Sequence, residues 1–273
     1  MTASITRARG FTIAELAVAV AILALLIFGA MVPFSTQVEI RNVNETRRTL
    51  DSIKEAIIGY AQANGRLPCP ADGTIAAGAV GAGTEQFTSP SCTAVFGVVP
   101  WATLGTPETD SWGRRFSYWV SPIFADALPP TATTWSSAGQ TPPCAPNPAP
   151  TQASFALCSL GVLNVNTRSE TAHATTTPVG SAVPVVIISH GKNGFGAYTA
   201  AGGTLSAPPG FDETANATHT AAATTFFSRN PTPSASGCDD TVSAQPYCEF
   251  DDIVVIIPAS VLISRAVAAG KLP

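Results

Sequence analysis

Charge is what this sequence has least of. Asp, Glu, Lys and Arg make up 12% of its 273 residues, against roughly 25% in an ordinary soluble domain, which excludes a disordered or highly charged chain. Its 14 basic and 18 acidic residues leave a net charge of -4 with no polybasic run, so nucleic acid is not expected as the main partner. Catalytic signatures are missing as well. No G-x-S-x-G or H-E-x-x-H occurs, and His173, His190 and His219 lie in separate segments without a flanking acid or nucleophile motif. Each histidine reads as a surface or loop residue, Trp112 as a packing residue, and the chain as a non-enzyme. No C-x-x-C pair supports zinc.

One long hydrophobic run is present, at the start. After MTASITRARG, residues Phe11 to Phe34 carry a single charge, Glu15, and the 19 residues from Leu16 to Phe34 carry none. As a helix those 19 would reach roughly 28 Å, close to a bilayer core, which implies a membrane span. Arg7 and Arg9 precede the run, so the N-terminus is expected in the cytoplasm and the bulk on the far side. A secretory signal has a shorter apolar core and a small-x-small cleavage site, whereas here Pro33-Phe34 follows, and no cysteine near the end supports a lipid anchor. A plain anchor gives no reason for Glu15, because a carboxylate within an apolar segment needs a partner.

The stretch Gly10-Phe11-Thr12-Ile13-Ala14-Glu15 after a short basic leader resembles the processing site of type IV pilins and type II secretion pseudopilins. The resemblance implies cleavage between Gly10 and Phe11 by a prepilin peptidase, methylation of the Phe11 amine, and assembly in which Glu15 of one subunit approaches the Phe11 amine of its neighbour. An ammonium and a carboxylate neutralise each other in a low-dielectric bundle, where either alone is costly. Three further pieces resemble the major pseudopilin core in order: Tyr60 to Pro68 (YAQANGRLP), Asp110 to Gly113 (DSWG) and Ser189 to Gly194 (SHGKNG).

Val43, Leu50, Ile53, Ile57 and Ala61 fall on one helical face, and Gly65 with Pro68 gives a stop signal. One helix from Phe11 to about Asn64 is expected, loosened near Gly29 and Pro33. Strand candidates are Phe116 to Val120, Val185 to Ile188 and Ile253 to Ile257. The expected fold class is α+β: a long N-terminal helix, membrane anchor plus amphipathic spine, packed on a small antiparallel sheet, with long disulfide-stapled loop insertions. Its parts would be a leader at 1–10, a transmembrane and assembly helix at 11–34, and an extracytoplasmic pilin-like domain at 35–273, with helix to 64 and sheet and loops from 65.

The stretches 72–97, 126–183 and 197–249 are rich in Ala, Thr, Ser, Pro and Gly, which predicts surface loops rather than a second core. Six cysteines suit an oxidising compartment. Sequence does not fix their pairing, and the expectation is that neighbours close polar loops: Cys69 with Cys92, Cys144 with Cys158, Cys238 with Cys248. The family resemblance also implies a structural calcium ion in the loop after the Ser-x-Gly strand end, although Lys192 and Asn193 stand where an acid would be expected. Asp212, Glu213, Asp239, Asp240, Asp251 and Asp252 are the candidate oxygen ligands, and no other cofactor is implied.

The resemblance makes the chain a structural subunit of a type IV pilus or type II secretion pseudopilus, a minor one given its length. Its partners would be other pilin or pseudopilin subunits, the prepilin peptidase and the inner-membrane assembly platform. It would sit in the bacterial inner membrane as a single-pass protein with a cytoplasmic N-terminus, and be periplasmic or extracellular once in a filament. The alternatives are a filament-displayed adhesive or ligand-binding module on the Thr- and Pro-rich insertions, or a singly anchored periplasmic domain.

Overall fold

In the computed structural model, residues 12–127, 152–169 and 171–272 are described, with only the backbone given for 27–36. The leader, Gly10, Phe11 and Cys144 lie outside the described residues. The chain divides into two compact units, Met1–Asn44 and Glu45–Pro273, and the boundary falls inside helix α1, Ile13–Asn64.

The second unit is organised by β7, Val185–Ser189, in which every residue is buried. An unbroken apolar run is what a strand covered on both faces requires, and β7 is central in the four-stranded sheet β3-β4-β7-β9. The other members are β3 (Phe96–Val98), β4 (Ser117–Val120) and β9 (Ile253–Ile257), all paired antiparallel. Side chains alternate across a strand. Tyr118, Val120, Val185 and Ile187 therefore join Leu50, Ile53 and Ile57 of α1 in one buried cluster, completed by Leu262 and Ala266 of the C-terminal helix Ala259–Ala268. Trp119, Val186 and Ile188 enter a second cluster on the opposite face. Burying one Leu or Ile side chain contributes about 1.5–3 kcal/mol, so both faces hold the sheet in place.

Helix α1 ends where its backbone must. Gly65 takes φ 71° and donates its N–H to the Ala61 carbonyl at 2.8 Å, the left-handed cap that glycine adopts at no steric cost. Arg66 then grips Glu85 with both guanidinium nitrogens at 2.9 Å, and Glu85 also accepts from the Tyr60 hydroxyl at 2.6 Å and the Cys69 N–H at 3.0 Å. Burial works against that carboxylate, but these donors outweigh it and hold its pKa below the usual value. The small hairpin β1 (Phe87–Thr88) and β2 (Ser91–Cys92) follows, tied back by the Cys69–Cys92 disulfide.

The fold-class expectation requires correction. The single small antiparallel sheet is replaced by three sheets, of two, four and three strands. The third, β6-β5-β8, is built from β5 (Leu163–Arg168), β6 (Thr176–Val183) and β8 (Thr225–Phe227), and β5 pairs with β8 in parallel. All three strands come from stretches expected to be loops. Leu163, Val165, Val183 and Phe226 form the second buried cluster with Trp119, a core that the polar composition of those stretches conceals. Nor is α1 a spine for one body, since the unit boundary cuts it after Asn44. Its backbone stays helical through Gly29 and Pro33, so the expected melted stretch is not seen.

The membrane anchor and the single-pass inner-membrane placement are corrected too. Among the described residues no helix is long and apolar enough to cross a membrane. The apolar part of α1 whose side chains are described runs from residue 13 to 26, about 21 Å of helix against a hydrocarbon core of about 30 Å. The cytoplasmic N-terminus and the periplasmic bulk fall with it. What supports an oxidising compartment is independent of the helix: the disulfides Cys69–Cys92 and Cys238–Cys248.

Candidate functional site

Three places bring chemistry-bearing residues together. The first is the start of α1. Thr12 Oγ1 accepts the Glu15 N–H at 3.2 Å, while Glu15 Oε2 accepts the Thr12 N–H at 2.9 Å and its hydroxyl at 3.0 Å. This reciprocal capping box satisfies two of the free N–H groups at the helix start. The pattern Thr-x-x-Glu before an apolar run signals it in the sequence, and the reading of Glu15 as an unpartnered acid missed it. Glu15 Oε1 keeps no partner among the described residues. Behind the box the helix is apolar on all sides and uncovered: Ile13 is 90% exposed, Leu16 61%, Leu25 72% and Leu26 66%.

The second place is an acidic pocket where β7 ends beside the start of β9. Ser189 pairs with Ile253 in the register of these strands, so the loop after Ser189 lies against Asp251 and Asp252. Gly191 makes the approach possible, because at its φ of 56° a Cβ would sit 2.5 Å from the Asp251 carbonyl oxygen. Helix α2, Phe211–Asn216, supplies Glu213. One carboxylate oxygen each of Glu213, Asp251 and Asp252 lie within 4.8 Å of one another.

Their remaining oxygens are held by the protein. Asn193 donates its side-chain amide to Glu213 at 3.1 Å and its N–H to Asp251 Oδ2 at 2.8 Å, and Asn216 donates to Asp252 Oδ2 at 2.8 Å. Asp251 Oδ1 and Asp252 Oδ1 are buried without a hydrogen-bond donor. Burial, then the Asp252 charge, pushes the Glu213 carboxyl up to about 8, and burial pushes Asp251 up to about 6. Three acids gathered out of water with two orphaned oxygens fit a hard divalent cation.

Of the six acids nominated from sequence, only these three converge. Asp212 pairs with Arg168 at 2.6 Å and Arg229 at 2.9 Å, and Asp240 pairs with Arg229 at 3.0 Å. Asp239 accepts from Thr241 within its own turn. Asn193, passed over as a departure from the acidic pattern, is the residue that holds two of the three acids.

The third place lies under the acidic pocket. Ser117 Oγ stands 2.8 Å from His190 Nε2 and 3.1 Å from His219 Nε2, and His190 Nδ1 faces Asp252 Oδ1 at 3.4 Å without the alignment of a hydrogen bond. A hydroxyl gives one proton. Ser117 therefore donates to one of the two imidazoles and accepts from the other, the direction following their tautomers. Burial, then His190, lowers the His219 pKa to about 4, so His219 is neutral.

Serine, histidine and aspartate are the residue types of a nucleophilic relay. Here both Ser117 and His190 are 0% exposed, Ser117 lies within the β-ladder, and two imidazoles occupy its oxygen. The group acts as a polar tie between β4, β7 and the 217–220 turn, with His219 stacked on Trp119 at 5.2 Å. All three histidines lie in loops, as expected, but two are not at the surface: His190 is fully buried, and His173, 7% exposed, stacks on Tyr247 at 3.8 Å. Trp112 is only half-buried, and among the described residues Trp119 is the core tryptophan.

Two of the three expected disulfides are present, Cys69–Cys92 and Cys238–Cys248. Cys158 is disulfide-bonded as well. No family model matches the chain, and neither the curated proteins nor the solved structures yield a match.

Proposed function

We propose that the chain is a filament subunit of the pilin or pseudopilin type, assembled through the first part of α1. The observation that carries this reading is the uncovered apolar segment. A helix that is hydrophobic all round is stable only when buried, and from Ile13 to Leu26 its large apolar side chains are more than half exposed. Copies of the same segment, packed as a bundle, cover that surface without a second kind of partner. Processing after Gly10 by a prepilin peptidase fits the Gly10-Phe11 pair and would leave a cationic Phe11 amine next to Thr12. Glu15, its Oε2 engaged by Thr12, still offers Oε1 to the amine of a neighbouring copy.

Glu15→Gln separates the two roles of this residue. Glutamine completes a capping box as glutamate does but brings no charge to a neighbour's amine. The variant is expected to be processed and to fold normally, with filament yield falling at least about tenfold. Normal filament yield from Glu15→Gln would reduce Glu15 to a helix cap, and a native chain beginning at Met1 by mass spectrometry would remove the processing step.

In the same reading the acidic pocket holds a structural calcium ion. Glu213, Asp251 and Asp252 would supply its oxygens, and the ion would relieve their mutual repulsion and lock α2 to the β7–β9 edge.

A further inference from the structure

A recess of about 310 Å³ opens beside β3, lined among others by Asp72, Thr74, Gln86, Phe96, Gly97 and Tyr198. Its volume is in the range of small-ligand sites. Neither the filament reading nor the calcium pocket uses it.

Its walls are fixed by contacts that have no other evident purpose. Arg115 is 0% exposed and spends its guanidinium on loop carbonyls: Nη1 donates to Gly73 at 2.9 Å and Ile75 at 2.8 Å, and Nη2 to Ala200 at 3.1 Å. The Arg115 N–H donates to the Tyr198 carbonyl at 2.9 Å, and Glu108 takes the remaining charge at 2.7 Å. A Cβ at Gly73 would lie 2.6 Å from the Tyr198 ring, so glycine lets the loop close on that ring. The Cys69–Cys92 disulfide and the bridges of Ala71 to Glu85 and Val98 hold the other side. Walls held this way lose little freedom when a ligand enters.

The lining states what would enter. Tyr198 and Phe96 give aromatic surface, whereas Gln86 and the Tyr198 hydroxyl make no side-chain hydrogen bond among the described residues. Asp72 uses only Oδ1, accepting from the Thr74 N–H at 2.8 Å and hydroxyl at 2.6 Å. Burial, then the Asp72 charge, raises the Tyr198 pKa, so this phenol is a donor at neutral pH. The lining therefore presents a carboxylate oxygen, a carboxamide with both donor and acceptor, and a phenolic donor, beside aromatic carbon. Among the described residues no cationic side chain lines it, which disfavours phosphates and carboxylates, and one carboxylate alone is a poor cation site. A neutral ring with hydroxyls on its rim and C–H groups on its face meets every one of these conditions.

We infer that this recess binds a neutral hexopyranose unit, so that the chain also displays a sugar-recognition site. The inference builds on the ligand-binding alternative and does not require that the chain polymerises. Saturation-transfer NMR on the full chain with methyl glucoside, methyl mannoside, methyl galactoside and N-acetylglucosamine tests it. At least one of these is expected to bind with a Kd of about 1 mM, with saturation strongest on ring C–H protons. Phe96→Ala and Gln86→Ala should each weaken that binding about tenfold or more, and glucuronate should bind more weakly than its neutral counterpart. No binding by any of the four sugars, or binding indifferent to both substitutions, would overturn the inference. The assembly-deficient Glu15→Gln chain should bind the same sugar equally well, so failure of the filament reading and failure of this one are told apart.

Discussion

Helix α1 shows two opposite uses of apolar side chains along one backbone. From Glu45 onward the apolar residues are few, spaced at helical intervals and fully covered: Leu50, Ile53 and Ile57 are each 0% exposed. From Ile13 to Leu26 they are nearly continuous and uncovered, with Ile13 90% and Leu25 72% exposed. The lesson is that density of apolar residues does not measure how much a segment contributes to folding. The sparse half is spent on the domain's own core, and the dense half is left uncovered by the described residues.

Substitutions turn that contrast into numbers. Ile53→Ala removes a side chain from the cluster shared by α1, β4 and β7, and should cost about 2–5 kcal/mol in denaturant unfolding. Leu16→Ala, in the uncovered half, should leave unfolding of the domain unchanged within about 0.5 kcal/mol while lowering filament yield. Equal stability losses at the two positions would erase the difference between the halves.

The calcium pocket gives a smaller effect. Glu213 and Asp251 have folded pKa values of about 8 and about 6, above their ordinary values. Without a cation, stability is therefore full below about pH 4, where both groups are protonated folded and unfolded, and is lost as pH rises through 6 and 8. Calcium at about 100 times its Kd should restore about 2.7 kcal/mol at pH 8 and little at pH 4. Thermal melts with chelator and with calcium at the two pH values measure this, and melts insensitive to calcium at pH 8 would dismiss the ion.

What the sequence disclosed follows the range of the interactions. Strand β9 coincides with the apolar run Ile253 to Ile257 and β7 with Val185 to Ile188, because a strand covered on both faces must be apolar throughout. The stop at Gly65 was local and readable. So was the Thr12–Glu15 capping box, although its spacing was passed over in favour of a distant partner. The second core was hidden: Phe226, Val165 and Trp119 meet only through the parallel pairing of β5 with β8 and the stacking of the two sheets. Those large residues are diluted among Ala, Thr and Ser. Half of the calcium nominees converge because Ser189 pairs with Ile253, whereas Asp212 and Asp240 are claimed by Arg168 and Arg229, a partnership that spacing does not encode. Arg115 and the Ser117 tie with its two histidines depend on strand register and carried no sequence signal. The anchor reading relied on a run of composition alone, and the described helix did not meet the length and apolarity that crossing a membrane requires.

The central claim is that copies of the chain cover one another's apolar helix. Among the described residues no cysteine is free, so a new one reports cleanly. Val20→Cys, introduced into the full chain and oxidised under assembling conditions, should give a covalent dimer on a non-reducing gel, while Glu55→Cys, on the exposed side of the covered half, should stay monomeric. Absence of a Val20→Cys dimer, or equal dimer at both positions, would contradict the account.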